Sequence, residues 1–286
     1  MTTAAEIDDW LVAQGSWVTR ERKVDRILHG ASERKIRACA VAWMGTTRVI
    51  RRAIEAGCDG LIVHEPIFWS GRDDPESIFD PVEADRKKSL LDQHGITVIR
   101  CHDLWDRYPR IGVVDSWAAC LGFDRITHHE FSYGEPEKLP MLYAIAHLPP
   151  GATLRDAATQ IANRTRHLGQ QHVATIGDLS MPMERLMINI GAWGSHAMQW
   201  MAARDEYGAQ GAVSTEFVWW RDASWSLDTG FALIHANHGV SECYSMQVLR
   251  DFVKDRYPDI TWQFINEAAP YTMVAPTEGR PEPLVV

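Results

Sequence analysis

The sequence predicts an α/β protein organised on a mostly parallel sheet. Short β-branched or apolar runs alternate with helix-length amphipathic segments, the pattern of βα units. One such run, Leu61-Ile62-Val63, is apolar throughout, as a strand buried on both faces should be. It stops at His64-Glu65-Pro66, and the proline prevents a central strand from continuing.

Apolar positions at Ile7, Trp10 and Leu11 fit a helix over residues 4–13. A strand follows over 36–43, and Gly45-Thr46-Thr47 supplies a turn and an N-cap for a helix ending near Gly57. The strand at 60–64 leads into a polar turn at 70–75 and a charged helix over 82–93, closed by His94-Gly95. A β-branched strand covers 96–101, and a short helix covers 115–121. The stretch 131–140, with a glycine and two prolines, is the expected domain boundary. Beyond it come a strand at 141–147 and a helix from the Thr153 cap to about His167. A strand at 185–190 then enters a Gly-rich turn at 191–195, which starts a helix over 195–206. Strands at 212–218, 232–236 and 260–264, with a helix over 240–256, complete the fold; the tail at 275–281 reads as extended.

With 286 residues, 45% apolar and 23% charged, the chain suits one large or two ordinary soluble domains. A net charge of -9 argues against a general nucleic-acid or anionic-membrane surface. The five cysteines are scattered and form no CxxC, which suggests reduced thiols. No secretory or membrane-spanning stretch is visible, so a cytoplasmic protein is expected.

Three places set histidine and carboxylate groups where a strand gives way to a loop or helix: His64-Glu65, His102 to Asp106, and His238 to Glu242. In the last, a four-residue spacing puts both side chains on one face of a helical turn. Imidazole and carboxylate suit iron, manganese, cobalt or zinc, and a carboxylate can bridge two ions. His64-Glu65 is not the zinc-protease HExxH motif, because Phe68 stands at the second histidine's place. Packing remains an alternative for His64, capping for Asp106, and a ligand-orienting role for His102 and Asp103. His128-His129-Glu130 reads as a surface cluster. No GxSxG, Walker A or GxGxxG pattern occurs.

Together these stretches resemble the NIF-three-like dinuclear-metal-centre family, also described as GTP cyclohydrolase I type 2-like. His64-Glu65-Pro66-Ile67-Phe68 resembles its His-His-Pro-Leu-Phe motif. Arg100-Cys101-His102-Asp103-Leu104-Trp105-Asp106 resembles Arg-x-His-Thr-Asn-Leu-Asp, and His238-Gly239-Val240-Ser241-Glu242 resembles His-x-x-Ser-Glu. Weaker likeness extends over 112–116 and 213–216. The resemblance implies two interlinked α/β domains with mixed, mostly parallel sheets, residues 1–130 with 235–286 and residues 131–234, with the metal site in the cleft between them. It also implies metal ligation by His64, Asp106, His238 and Glu242, two divalent transition-metal ions, and a homo-oligomer, a hexamer. Glu65 and Asp103 depart from the family pattern. Glu65 can ligate, favouring iron or manganese over zinc, or act as a general base.

The expected function is a metal-dependent hydrolase that directs an activated water onto a C–N bond of a small, planar or heterocyclic substrate. Glu65 or Glu242 would handle the proton, and Trp69, Trp105, Glu216 and Trp219 would shape the pocket. The alternatives are a metal-binding scaffold or trafficking protein, and a phosphoester hydrolase. The last would need basic residues at the pocket, for which the sequence offers Arg100 and Arg107.

Overall fold

Thr3 and Glu6 form a reciprocal capping box that opens helix α1 (Ala4–Val12). Strands β1 (Arg26–His29) and β2 (Ala38–Ala42) follow. Thr46 caps α2 (Thr47–Glu55), which leads to β3 (Gly60–Val63). Asp80 caps α3 (Pro81–His94), and Gly95 ends it in the left-handed conformation glycine tolerates best. Next come β4 (Thr97–Arg100), α4 (Asp103–Arg107), α5 (Val113–Leu121), β5 (Ile126–Phe131) and β6 (Met141–His147). At α6 (Leu154–Thr165), Asp156 completes a capping box with Thr153 although its side chain is shorter than glutamate. The remainder is β7 (Ala174–Ile176), β8 (Arg185–Ile188), α7 (His196–Tyr207), β9 (Gly211–Ser214), α8 (Ser224–Thr229), β10 (Ala232–His235), α9 (His238–Arg256) and β11 (Thr261–Ile265).

The computed structural model describes residues 1–134, 139–191, 196–267 and 271. The centre of the expected boundary at 131–140, most of the Gly-rich turn at 191–195 and the tail at 275–281 lie outside the described residues.

The strands form two sheets. The first has the order β1-β4-β3-β2-β11 and is parallel except for β1 at its edge. The second, β5-β6-β8-β9-β10-β7, is parallel only through β8, β9 and β10. Both sheets are thus mixed, as expected; the first is mostly parallel, and the second has three antiparallel pairings to two parallel ones. Strands β1, β5 and β7 were not expected: each is short or polar on both faces, and none is fully buried, so the sequence carries no apolar run there. Strand β5 also starts the second sheet before residue 131.

Helix α9 links the two sheets. It enters from β10 of the second sheet and leaves to β11 of the first. Its buried face, including Val240, Met246 and Leu249, shares one hydrophobic cluster with strands of both sheets and with α5 and α6. Trp105 locks α4 against α9. It is fully buried, its indole donates to the Ser245 carbonyl at 3.0 Å, and it stacks on Tyr108. That fixes Asp106 relative to the first turn of α9. Among the described residues, no helix is long and apolar enough to cross a membrane.

Because Trp105 is core, Trp105→Ala should destabilise the chain by roughly 3–5 kcal/mol in chemical denaturation. Trp219→Ala, at a residue 69% exposed, should cost little. Equal effects would contradict this packing.

Candidate metal centre

In the first sheet β2, β3 and β4 run parallel, so their carboxyl ends lie side by side. Ligands in open α/β sheets gather at such ends. The residues just past these ends are Trp43, His64-Glu65 and His102. The Trp43 carbonyl accepts from the backbone N–H groups of His64 and Glu65 at 3.1 and 2.9 Å, which turns the chain out of β3. The first turn of α9 completes the cluster from above. Its N-cap Asn237 accepts from Gly239, and its backbone N–H donates to Gln170 at 2.9 Å. Helical spacing then points His238 and Glu242 to the same place.

His64 is fully buried, with Nδ1 3.0 Å from the Cys101 carbonyl. That carbonyl can only accept, so Nδ1 carries the hydrogen and Nε2 presents its lone pair. Yet Nε2 faces two further acceptors, Asp106 Oδ1 at 3.3 Å and Glu242 Oε2 at 3.4 Å. His238 repeats the arrangement. Its Nδ1 is 2.9 Å from Glu216, and its Nε2 lies 2.9 Å from Glu242 Oε2 and 3.3 Å from Glu65 Oε1. His64 Nε2, Asp106 Oδ1 and His238 Nε2 are all buried without a hydrogen-bond partner among the described residues. Acceptors opposed at these distances require a proton or a cation between them.

Two donor groups result, His64 with His102 and Asp106, and Glu65 with His238 and Glu242; within each, the ligand atoms lie within 4.8 Å of one another. Glu242 Oε2 is close to a histidine of each group, so one carboxylate can serve both. Donors of nitrogen and oxygen alone, with no thiolate, fit iron(II), manganese or zinc. The residues thus fit divalent metal ions.

In the metal-free protein, protons must fill the same gaps. Burial opposes charge on His64, but the Glu242, Asp106 and Glu65 carboxylates overcome it and raise its pKa to about 9. His238 is also raised well above the ordinary value: burial opposes this, and Glu242, Glu216 and Glu65 outweigh burial. Glu242 is held below the carboxylate range because the two histidines outweigh its desolvation.

A wider set of side chains holds the ligands. Asp25, just before β1, accepts from the N–H groups of His102, Asp103 and Leu104 at 2.7, 2.9 and 3.4 Å and so anchors α4. Its burial, with the Asp103 charge beside it, raises its pKa to about 6. Asp103 lies 3.1 Å from His102 Nδ1 and accepts from Arg22 at 2.7 Å, an orienting position. Trp43 donates its indole N–H to Glu242 Oε2 at 2.8 Å.

A model of the DUF34/NIF3 (NGG1p interacting factor 3) family matches residues 26–270. The chain belongs to that family. Over 258 residues it is 25% identical to a GTP cyclohydrolase 1 type 2 homolog of Pseudomonas aeruginosa, covering 89% of this chain and 88% of that protein. Its fold is similar to that of a Staphylococcus aureus hypothetical protein, with a TM-score of 0.73 at 20% identity over 95% of this chain and 99% of that one. It is also similar to a Bacillus cereus protein related to NIF3, with a TM-score of 0.74 at 14% identity over 96% and 99%. The third structure is reduced HcgD from Methanocaldococcus jannaschii, with a TM-score of 0.68 at 15% identity over 93% and 98%.

In this NIF3-family chain the structure brings together His64, Glu65, His102, Asp106, His238 and Glu242. A cavity of about 340 Å³ opens over all of these except the buried His64, lined also by Asp103, Met141 and Ile190. The aromatic residues expected around it stand elsewhere. Trp105 is buried in the core. Trp69 packs on Phe79 beneath Lys87, and Trp219 packs on Phe217. Glu216 holds His238 rather than lining the cavity. His128 and Glu130 are exposed on β5, paired with Asp115 and Arg107. Of the two basic residues the sequence offered, Arg100 lines the cavity, together with Arg22 and Arg72, whereas Arg107 is absent from that lining and pairs with Glu130. Arg100 ends β4 and Arg72 stands in a polar loop, while Arg22 belongs to the basic stretch Arg20-Glu21-Arg22-Lys23, far in sequence from the ligand motifs. Asp25 and Trp43 give no local signal in the sequence, since each is a lone residue far along the chain from what it holds.

Purified protein should carry one to two transition-metal ions per chain, and His238→Ala should lose most of them; equal metal in both would contradict the assignment. A second expectation concerns pH. His64 has a folded pKa of about 9 against an ordinary 6.5, so its contribution to metal-free stability is full below pH 6.5 and lost as pH rises through 9. Over that window urea unfolding of the metal-stripped protein should show falling stability, while metal affinity rises because fewer protons must be displaced. Flat stability from pH 6.5 to 9 would count against it.

Proposed function

We propose that this chain is a metal-dependent hydrolase acting on a C–N bond, amide or ring, of a small molecule. The observation that carries the reading is the meeting of the orphaned His64, Asp106 and His238 atoms beneath a cavity of metabolite size. The name of the Pseudomonas aeruginosa relative, a GTP cyclohydrolase 1 type 2 homolog, supports the choice of a C–N bond. Two divalent ions, iron or manganese before zinc, would acidify a water and polarise the bond it attacks.

The residues then divide the work. His64, Asp106, His238 and Glu242 are ligands, with His102 stacked on His64 at 4.5 Å between ring centres and able to join them. Glu242 is poorly suited to carry protons, because Oε2 accepts from Trp43 and faces both histidines. Glu65 is the better general base. It faces the cavity, retains side-chain exposure of 20%, meets one histidine, His238 at 3.3 Å, where Glu242 meets two, and has Arg100 no nearer than 3.9 Å. From there it takes the proton of the attacking water and returns it to the leaving nitrogen. Glu216, through Nδ1 of His238, keeps Nε2 aimed inward. This reading takes the protein to work in the cytoplasm as a homo-oligomer, a hexamer as its family resemblance implies.

A panel of amides, lactams and nucleotides offered to metal-replete protein should reveal turnover. Glu65→Gln should lower kcat by roughly 10²–10⁴-fold while keeping most of its metal. Absence of turnover across the whole panel would instead favour a metal-binding scaffold.

A further inference from the structure

The loop from Pro66 to Asp73 is held in an unusual shape. Trp69 and Asp73 take φ of 59 and 51, a left-handed backbone that costs non-glycine residues energy and persists only where other contacts impose it. Those contacts are present. The Asp73 carboxylate accepts from the Ile67 and Phe68 N–H groups at 2.8 and 2.7 Å. The buried Lys87 ammonium donates to the Ile67 carbonyl at 2.6 Å. Arg100 donates to the Gly71 carbonyl and Arg26 to the Arg72 carbonyl, both at 2.6 Å. Carbonyls on either side of the Arg72 peptide are thus fixed, and Arg72 lines the cavity over the candidate centre.

Arg100 lines the same cavity. Its side chain is 3% exposed, and its guanidinium donates to the His64 and Gly71 carbonyls. The nearest carboxylate, Glu65, is 3.9 Å away, too far for a hydrogen bond. A buried guanidinium whose hydrogen bonds go to carbonyls, with no carboxylate in direct contact, keeps much of its charge available to another anion. Arg22, the third arginine there, is already engaged by Asp103. Two divalent ions would more than neutralise Glu65, Asp106 and Glu242, leaving Arg72 and Arg100 as net positive charge in a small concave site.

We infer that Arg72 and Arg100 form an anion subsite that holds a phosphate or carboxylate at the non-reacting end of the substrate. That role toward a substrate rests on the proposed hydrolase function, whereas anion binding by Arg72 and Arg100 does not require it. Planar guanidinium forks suit either oxyanion, and a fixed loop lets Arg72 bind without first being ordered.

The test uses full-length protein loaded with zinc, titrated calorimetrically with inorganic phosphate and, separately, with acetate. Metal content is measured on every sample. Any coordination of these anions by the ions is common to wild type and variant, so the difference reports the arginine. Arg72→Ala, at an exposed position, should keep its metal and bind the preferred anion roughly ten- to a hundredfold more weakly, the loss of one charge-assisted contact. Arg155→Ala, on the distant helix α6, should match wild type. A larger loss for phosphate identifies a phosphorylated substrate; a larger loss for acetate identifies a carboxylate. Unchanged affinity for both anions in Arg72→Ala, or no saturable binding to wild type, would overturn the subsite. A hydrolase reading that fails in the substrate panel would leave this titration unaffected, so the two failures are distinguishable.

Discussion

Buried acceptors that face one another are costly unless something positive stands between them. At the ends of β3 and α9 that cost is built in. The Cys101 carbonyl commits Nδ1 of His64 to carry its hydrogen, and Glu216 does the same for His238. Both Nε2 lone pairs then point at Asp106, Glu65 and Glu242. Protons can satisfy this arrangement, at the price of strongly shifted histidines, and divalent cations satisfy it with the geometry the side chains already have. The positions of Trp43, Asp25, Asp103 and Trp105 follow as supports for that confrontation.

The fold supplies the confrontation through two features of topology. Parallel pairing of β2, β3 and β4 brings three chain exits to one edge, where each contributes a residue to the site. Helix α9 arrives from the other sheet and spans both, so His238 and Glu242 reach the edge from the opposite side. The cavity is consequently walled by the first sheet's loops and by Met141, Ile190 and Gly191 from the second sheet's segment. Neither sheet alone could enclose it.

Much of this was legible in the sequence, for reasons that can be named. The continuous apolar run before His64 and the β-branched run before Cys101 are buried central strands, and their ends mark a site. The His238-to-Glu242 spacing speaks only one language, that of a helical face. What stayed hidden depends on long-range placement. Trp105 beside Asp106 reads equally as a pocket wall or as core, and only the contact with Ser245, far along the chain, decides for core. Arg72 lies in a polar turn that looks like any other until its carbonyl partners are seen. Strand β5, His128 and His129 included, carries polar groups on both faces and gave no periodic signal. The neighbours of Glu216 in sequence suggest a pocket wall, while its role comes from a histidine 22 residues later.

The most direct measurement is anomalous diffraction from crystals of the metal-loaded protein, recorded above and below the absorption edge of the bound metal. The account predicts two peaks roughly 3.5–4 Å apart, one beside His64 and Asp106, the other beside His238 and Glu65, with Glu242 reaching both. Anomalous density absent from this cluster, or held instead by cysteine sulfur elsewhere, would contradict it.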